Sequence, residues 1–306
     1  MANGDPELIV LGSHAPGLFL RVERIPAPGE TVIGWDFKEP IDGGKGSNQA
    51  IAAARLGART SFVGCVGQDR LGEEGEKWMR AEGVDLRFLL HSTAVNTGVG
   101  FIILDSRGVP AMVTSMGANA ELTIEHVDFA LSNLQSAKVL LTQFEIPVKV
   151  ALHAAWVGQK FGMITIINPA PAVKVSCSEM QVADILVPNE SEAKELLGIP
   201  QSSYRNPLEM AAELIEKSKS NCVIITMGEQ GIVGMDSHNT WRAGPPPTEV
   251  VDTSGAGDVF CAALAVRILR GDTYKDASEW ACKAAALSVT KPGTIPAFPY
   301  IQEVIG

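Results

Sequence analysis

Thr248-Glu-Val-Val-Asp-Thr-Ser-Gly-Ala-Gly-Asp-Val-Phe260 leads from a short apolar run, through a Gly-Ala-Gly turn, into an apolar helical pattern over 258–270 that Gly271 ends. A run, a glycine turn and a helix start leave several backbone N–H groups pointing at one spot, and the helix dipole adds to their positive potential. Such a spot suits a phosphate or a developing anion. Gly255 and Gly257 lack side chains, so a ligand can approach the backbone. Asp258 falls in the first helical turn, where a carboxylate can take a proton from an attacking hydroxyl during phosphoryl transfer. The plainer alternative is a tight turn with a charge that steadies the helix end.

Outward from this stretch, short apolar runs recur at Leu8-Ile-Val-Leu11, Phe62-Val-Gly-Cys-Val66, Val139-Leu-Leu-Thr142, Ile164-Thr-Ile-Ile167, Ile185-Leu-Val187 and Val223-Ile-Ile-Thr226. They are continuously apolar, the habit of parallel strands covered on both faces. Helical patterns lie between them at 47–56, stopped by Gly57, and at 208–217. Strand–helix alternation of this kind predicts βαβ units in an open, doubly wound α/β sheet. Two stretches break the rhythm. Residues 15–44 are rich in proline and glycine, with an extended piece at Thr31-Val-Ile33, and residues 97–116 read as two strands around Asp105-Ser-Arg-Gly108. Both are assigned to a small β-sheet over the main domain (1–14, 45–96 and 117–306), either a lid or an ordinary hairpin decoration.

Asp42-Gly-Gly-Lys-Gly-Ser-Asn-Gln-Ala50 puts Lys45 and Asn48 at a glycine loop opening a helix. It is not a P-loop, because Gly46 follows the lysine, and it reads equally as a capped helix without a ligand. Asn189 and Glu192, three apart, read first as a capping box. Thr226-Met-Gly-Glu-Gln-Gly231 ends a strand, where folds of this kind bind ligands. The five histidines show no metal-ligand spacing and no GxSxG occurs, which argues against a zinc enzyme or a Ser/His hydrolase.

Of the 306 residues, 46% are hydrophobic, enough for a large core and too many for a disordered chain. A net charge of −10 argues against nucleic acid or an anionic membrane as partner. No run is long and apolar enough to span a bilayer, and the start has neither the basic nor the apolar region of a secretory signal. Five scattered cysteines without a CxxC pair fit reduced thiols, so the expected compartment is the cytoplasm.

Taken together and in this order, the segments resemble the signatures of the ribokinase (PfkB) sugar-kinase family. Gly43-Gly-Lys-Gly-Ser-Asn-Gln-Ala50 with Ala53-Arg-Leu-Gly57 is similar to the first, and Asp252-Thr-Ser-Gly-Ala-Gly-Asp258 to the second. Gly117-Ala-Asn-Ala120, Asn168-Pro-Ala-Pro171, Asn189-Glu-Ser-Glu192 and Thr226-Met-Gly228 resemble further landmarks.

The resemblance implies a ribokinase-like, Rossmann-type three-layer α/β/α sandwich with a small β-sheet lid that often forms a homodimer. It implies a kinase that moves the γ-phosphoryl group of ATP to a sugar hydroxyl, D-ribose by default, with Mg²⁺ and a possible K⁺ activator. By the same resemblance Asp258 is the base, and the amides of Gly255, Ala256 and Gly257 form the anion hole. Gly44, Lys45, Asn48 and Glu145 contact the sugar, while Asn189, Thr226, Gly228 and Gly231 line the nucleotide site. Glu192 acts on the Mg²⁺–phosphate network. The monovalent cation sits against the Asp252 carboxylate and the carbonyls of Ser254, Ser288, Lys291 and Gly293, with Ala297 where a serine oxygen is usual.

One departure concerns the sugar: Ala15 and Gly17 stand where ribokinases carry an Asn and an Asp that grip sugar hydroxyls, and His14 is a candidate substitute. A kinase for another ketose, polyol, sugar acid or nucleoside is therefore the alternative, followed by a non-catalytic sugar- or nucleotide-binding protein.

Overall fold

The computed structural model describes residues 4–39, 43–107 and 109–305. Asp42, which opens the glycine loop, and Gly108, which closes the 105–108 turn, lie outside the described residues. The strands are β1 (Leu8–Leu11), β2 (Gly17–Val22), β3 (Gly34–Lys38), β4 (Thr60–Gly67), β5 (Leu89–Ser92), β6 (Val99–Leu104), β7 (Pro110–Ser115), β8 (Val139–Thr142), β9 (Ile164–Ile167), β10 (Ile185–Leu186), β11 (Cys222–Thr226), β12 (Ile232–Asp236) and β13 (Thr240–Ala243). The α-helices are α1 (Lys45–Arg55), α2 (Arg70–Ala81), α3 (Ile124–Ser132), α4 (Val148–Lys160), α5 (Glu190–Leu197), α6 (Pro207–Ser218), α7 (Ala256–Leu269), α8 (Tyr274–Ser288) and α9 (Ile301–Ile305).

A 9-stranded sheet runs in the order β13-β12-β11-β10-β9-β8-β1-β4-β5. It is parallel from β11 to β5, and β12 and β13 add an antiparallel edge. Alternate strand residues feed two separate cores. Leu8 and Val10 pack with Ile51 and Leu56 of α1, Val259 to Val266 of α7, and Ala277 and Ala281 of α8. Ile9 and Leu11 pack on the other face with Val127 of α3, Ala154 of α4, Ala193 of α5 and Leu214 of α6. Two covered faces explain why the strands read as unbroken apolar runs. The same logic explains α7: it is buried from Asp258 to Val266, so it shows an all-round apolar pattern and no single stripe.

Three anticipated strands, β1, β8 and β9, coincide with the observed ones. Helices α1 and α7 each begin two residues before the expected start. Gly44 (φ 88°) and Gly255 (φ 74°) take left-handed backbone at their N-caps and turn the chain earlier than side-chain periodicity indicates.

A separate 4-stranded sheet is ordered β3-β2-β6-β7. The 15–44 stretch contributes β2 at Gly17–Val22 and β3 at Gly34–Lys38, and no strand at 31–33. A turn closed by the Glu30 N–H on the Ala27 carbonyl (3.0 Å), and tied by the Arg24–Glu30 ion pair, occupies the preceding residues. On the far side of the 105–108 turn, the Asp105 carboxylate accepts the N–H groups of Arg107 and Val109, each at 2.9 Å.

Candidate active site

The loops that follow β1, β8, β9, β10 and β11 all leave the carboxyl edge of the parallel sheet, where helix N-termini converge on the same space. Gly12, directly after β1, lets α1 dock onto this edge. A Cβ on Gly12 would lie 2.8 Å from the Gly46 Cα, and one on Gly44 would lie 2.5 Å from the Ala15 nitrogen. The glycines of the 43–46 loop thus serve close packing of helix on strand end. The first amides of α1 are also taken. Lys45 N–H donates to Glu145 Oε2 (2.8 Å) and Ser47 N–H to the Ser13 carbonyl (2.8 Å). Ser13 Oγ donates to the same Glu145 oxygen at 2.6 Å. Glu145 is therefore the tertiary cap of α1, and it has one further carboxylate oxygen facing the site.

Helix α7 is capped differently. The N–H groups of Gly255, Gly257 and Asp258 have no acceptor among the described residues, whereas that of Ala256 makes a long bond (3.3 Å) to the Thr253 carbonyl. Behind them, Thr294 and Phe298 back Gly255 so closely that a Cβ there would lie 2.5 Å from Thr294 Cγ2. Of these open-amide residues Gly257 borders a cavity of about 630 Å³, which Asn189, Thr226, Gly228, Gly231 and Ala256 also line. Pro245 to Thr248, Val250, Phe260, Cys282 and Ala285 add to its largely apolar wall, and of these Pro245, Cys282 and Ala285 lie outside every motif read in the sequence.

Asp258 is buried and held by two side-chain amides. Asn48 Nδ2 donates to Oδ2 at 2.9 Å and Gln49 Nε2 to Oδ1 at 3.0 Å. Burial raises its pKa above the usual carboxylate range, opposed by the Lys45 charge and both amide donors. Burial works against the Lys45 charge, but Asp258, Glu145 and Glu192 outweigh it and raise its pKa. Glu192 is also raised, chiefly by burial. Lys45 is thus the cation among three carboxylates, and it offsets part of their negative charge.

Asn189 and Glu192 form a reciprocal capping box at α5: Asn189 Oδ1 accepts the Glu192 N–H and Glu192 Oε2 accepts the Asn189 N–H, both at 2.8 Å. An isolated bridge joins Asn189 to Thr226, which brings the two sequence segments together at the cavity mouth. Asp252 lies on the other side of the α7 turn. Its carboxylate accepts the N–H groups of Ser254 and Gly293 (2.9 Å each), and its pKa is lowered by these bonds against the effect of burial. The Val251 N–H donates to the Val289 carbonyl (2.8 Å), drawing the 251–254 segment against the end of α8 and Ser288. Lys291 Nζ is turned to Glu303 (3.1 Å), and Ala297 is buried with no oxygen in its side chain.

His14, the candidate substitute for a sugar-gripping residue, has its side chain turned inward. Its ring is buried, with Nδ1 on Ser47 Oγ (3.0 Å) and Nε2 against Gly75 of α2, and burial lowers its pKa to about 4. A second cavity at the opposite edge of the sheet is lined by Arg59, Arg80 and Arg87, yet each already has a carboxylate partner in Glu7, Glu76 or Asp85.

The pfkB family carbohydrate kinase model matches residues 9–300. The chain belongs to the pfkB family of carbohydrate kinases. A ribokinase of Staphylococcus aureus (strain COL) is 30% identical over 299 residues, covering 97% of this chain and 98% of the relative. A deoxyribokinase of Salmonella typhi is 30% identical over 298 residues, 97% of each. The solved ribokinase of Arabidopsis thaliana complexed with ribose and ATP matches with a TM-score of 0.88 at 28% identity, covering 99% of this kinase and 98% of that chain. The kinase is thus an ATP-dependent sugar kinase of ribokinase-like fold.

Proposed function

We propose that this kinase transfers the γ-phosphoryl group of ATP to the primary hydroxyl of a pentose, with D-ribose, giving ribose 5-phosphate, the first substrate to test. The observation that carries the reading is the placement of the buried, doubly held Asp258 in the first turn of α7, directly after Gly257, whose open amide borders a 630 Å³ cavity. ATP fills that cavity against Asn189, Thr226, Gly228 and Gly231, and its terminal phosphate meets the amides of Gly255 and Gly257. The sugar lies between Gly44, Lys45, Asn48 and Glu145, with its reacting hydroxyl toward Asp258. The hydroxyl proton passes to the carboxylate as its oxygen attacks the γ-phosphorus. The β–γ bridging P–O bond breaks and ADP leaves with the electron pair. A raised pKa suits Asp258 to this exchange, because it takes the proton in the transition state and releases it afterwards.

Mg²⁺, which spreads the phosphate charge, would be held by Glu192 together with the nucleotide phosphates. Glu192 fits because only one of its carboxylate oxygens is committed to the capping box. A K⁺ ion would be held by Asp252 and the carbonyls of Ser254, Ser288, Lys291 and Gly293. The lowered pKa of Asp252 keeps the anion that such a site needs, and Ala297 makes it one oxygen poorer. Residues 15–44 and 97–116 form the lid, and the exposed Trp35, Phe37, Phe101, Met112 and Val113 support a homodimer built on it. The acidic surface and the buried free cysteines support a cytoplasmic location.

A different sugar is the second reading, and Gly17 favours it. Gly17 pairs with Gly100 across β2 and β6, and a Cβ on Gly17 would lie 3.2 Å from Ile102 Cδ1. A glycine at this position has no carboxylate to grip a diol, a loss of about 1.5–3 kcal/mol of binding. Coupled ADP release over pentoses, hexoses, polyols, sugar acids and nucleosides, with Mg²⁺ and with or without K⁺, decides between them. Turnover on D-ribose supports the first reading, turnover on another sugar alone the second. Silence on every sugar overturns both in favour of a binding protein.

A further inference from the structure

Asp258 is connected to the sheet by a chain of side-chain amides. Gln49, fully buried on α1, donates Nε2 to Asp258 Oδ1 at 3.0 Å and reaches Asn168 Oδ1 at 3.4 Å. Its own Oε1 accepts Nε2 of Gln143, the buried residue directly after β8. Gln143 is seated against the end of β1, where its Oε1 is buried without a partner and would lie 2.1 Å from a Cβ on Gly12. Asn168, after β9, is anchored by its own Nδ2 on the Val187 carbonyl (2.9 Å).

A glutamine amide can turn over and exchange donor for acceptor. Here Gln143 offers its NH₂ to Gln49, so Gln49 must present its carbonyl to Gln143 and its own NH₂ to Asp258. The reversed amide would bring a carbonyl oxygen against the carboxylate and leave the Gln143 NH₂ facing another NH₂. We infer that Gln143 and Gln49 are positioning residues for the phosphoryl transfer: Gln143 sets the amide of Gln49, and Gln49 holds Oδ1 of Asp258 so that Oδ2 alone, beside Asn48, faces the sugar hydroxyl. The inference rests on Asp258 as the base.

The other groups that face Asp258 are Lys45 of α1, Glu145 after β8, Glu192 of α5 and Cys261 of α7 itself. Among the described residues none of them hydrogen-bonds to Gln49 or Gln143, so removing either amide changes the carboxylate through the relay. Loss of a donor raises the pKa of Asp258, and the acid limb of the rate profile moves to higher pH.

The test compares Gln49→Met, Gln143→Met and the double variant with Asp258→Asn on the preferred sugar, reading kcat, the sugar KM and the acid limb of kcat/KM. Methionine keeps the length and fills the buried space. The relay predicts a kcat lower by about 10-fold for Gln49→Met and about 3-fold for Gln143→Met, with the sugar KM within twofold and the acid limb shifted up in both. The double variant should be no slower than Gln49→Met, because the second deletion acts through a group already gone.

Effects that multiply, or a Gln143→Met enzyme with normal kcat and an unmoved acid limb, would overturn the inference. Should Gln49→Met fail to fold by circular dichroism, Gln143→Met alone gives the same decision. Near-normal turnover of Asp258→Asn would instead bring down the assignment of the base. A large loss in that variant beside normal glutamine variants would bring down the relay only.

Discussion

Gly255→Ala tests how the anion-binding end of α7 is built. Gly255 has φ 74°, and a Cβ there would lie 2.5 Å from Thr294 Cγ2 and 2.7 Å from Phe298 Cε1. Left-handed backbone costs a residue with a Cβ about 1–2 kcal/mol. Forcing a methyl group into packed neighbours costs about 1–3 kcal/mol more. Together they give about 2–5 kcal/mol. At about 2 °C per kcal/mol for a chain of this size, the midpoint should fall by about 4–10 °C. Relief comes only by moving the turn, which re-aims the Gly255 and Gly257 amides. A shift of about 1 Å at a reacting centre costs on the order of 10²-fold in kcat.

The control is Gly257→Ala, where a Cβ has open space and helical backbone. Its midpoint should hold or rise slightly, since alanine is the better helix residue by about 1 kcal/mol. Its KM for ATP should increase, because Gly257 lines the nucleotide cavity. Differential scanning calorimetry and coupled ADP release read both variants. A Gly255→Ala enzyme with an unchanged midpoint and kcat within twofold of the parent would refute the argument.

Arg55→Met should lower the midpoint by several degrees. Its guanidinium binds the carbonyls of Ile295 and Phe298, pairs with Glu82 at 2.6 Å and lies over the Tyr300 ring; the variant leaves Glu82 only the Tyr300 hydroxyl (3.3 Å), so the cost approaches that of a broken buried pair, about 3–5 kcal/mol. Calorimetry should find part of that loss recovered in Arg55→Met/Glu82→Gln. Ala285→Phe should raise the KM for ATP at least about tenfold with the sugar KM unchanged, because Ala285 lines the nucleotide cavity and not the sugar side; steady-state kinetics with each substrate varied checks it.

His14 predicts a pH effect on stability. Its folded pKa is near 4 against 6.5 unfolded, so the unfolded chain binds the extra proton and stability falls as pH drops from 6.5 to 4. Urea titrations across that range should show a component of up to about 3 kcal/mol that is missing in His14→Asn.

Much of this site was legible in the sequence because each part sits in a local pattern. Asp252 to Asp258 is one turn and Gly43 to Asn48 is another, and chain connectivity alone makes them compact. Asn189 with Glu192 reads as a capping box and is one, while its neighbour Thr226 brings it to the nucleotide cavity. The relay through Gln49 and Gln143 was not legible: the residues are 94 positions apart, and neither type nor spacing marks the bond.

The apolar wall of the nucleotide cavity was hidden for a similar reason. Pro245, Cys282 and Ala285 lie outside the motif-bearing stretches and read as ordinary loop or core. The antiparallel β12–β13 edge went unread because Gly234 breaks its apolar run so that Trp241 can lie over it. His14 drew a functional reading from its position after β1, yet Gly75, far along the chain, supplies the space that takes its ring inward.

The central claim is that the Asp258 carboxylate takes the proton from a sugar hydroxyl. Its most direct test is sugar-dependent ADP release by the parent enzyme and by Asp258→Asn, with ATP binding measured on both by calorimetry. The account predicts a fall in kcat of about 10²–10⁴-fold with ATP affinity within a few-fold of the parent. Turnover by Asp258→Asn close to that of the parent would contradict it.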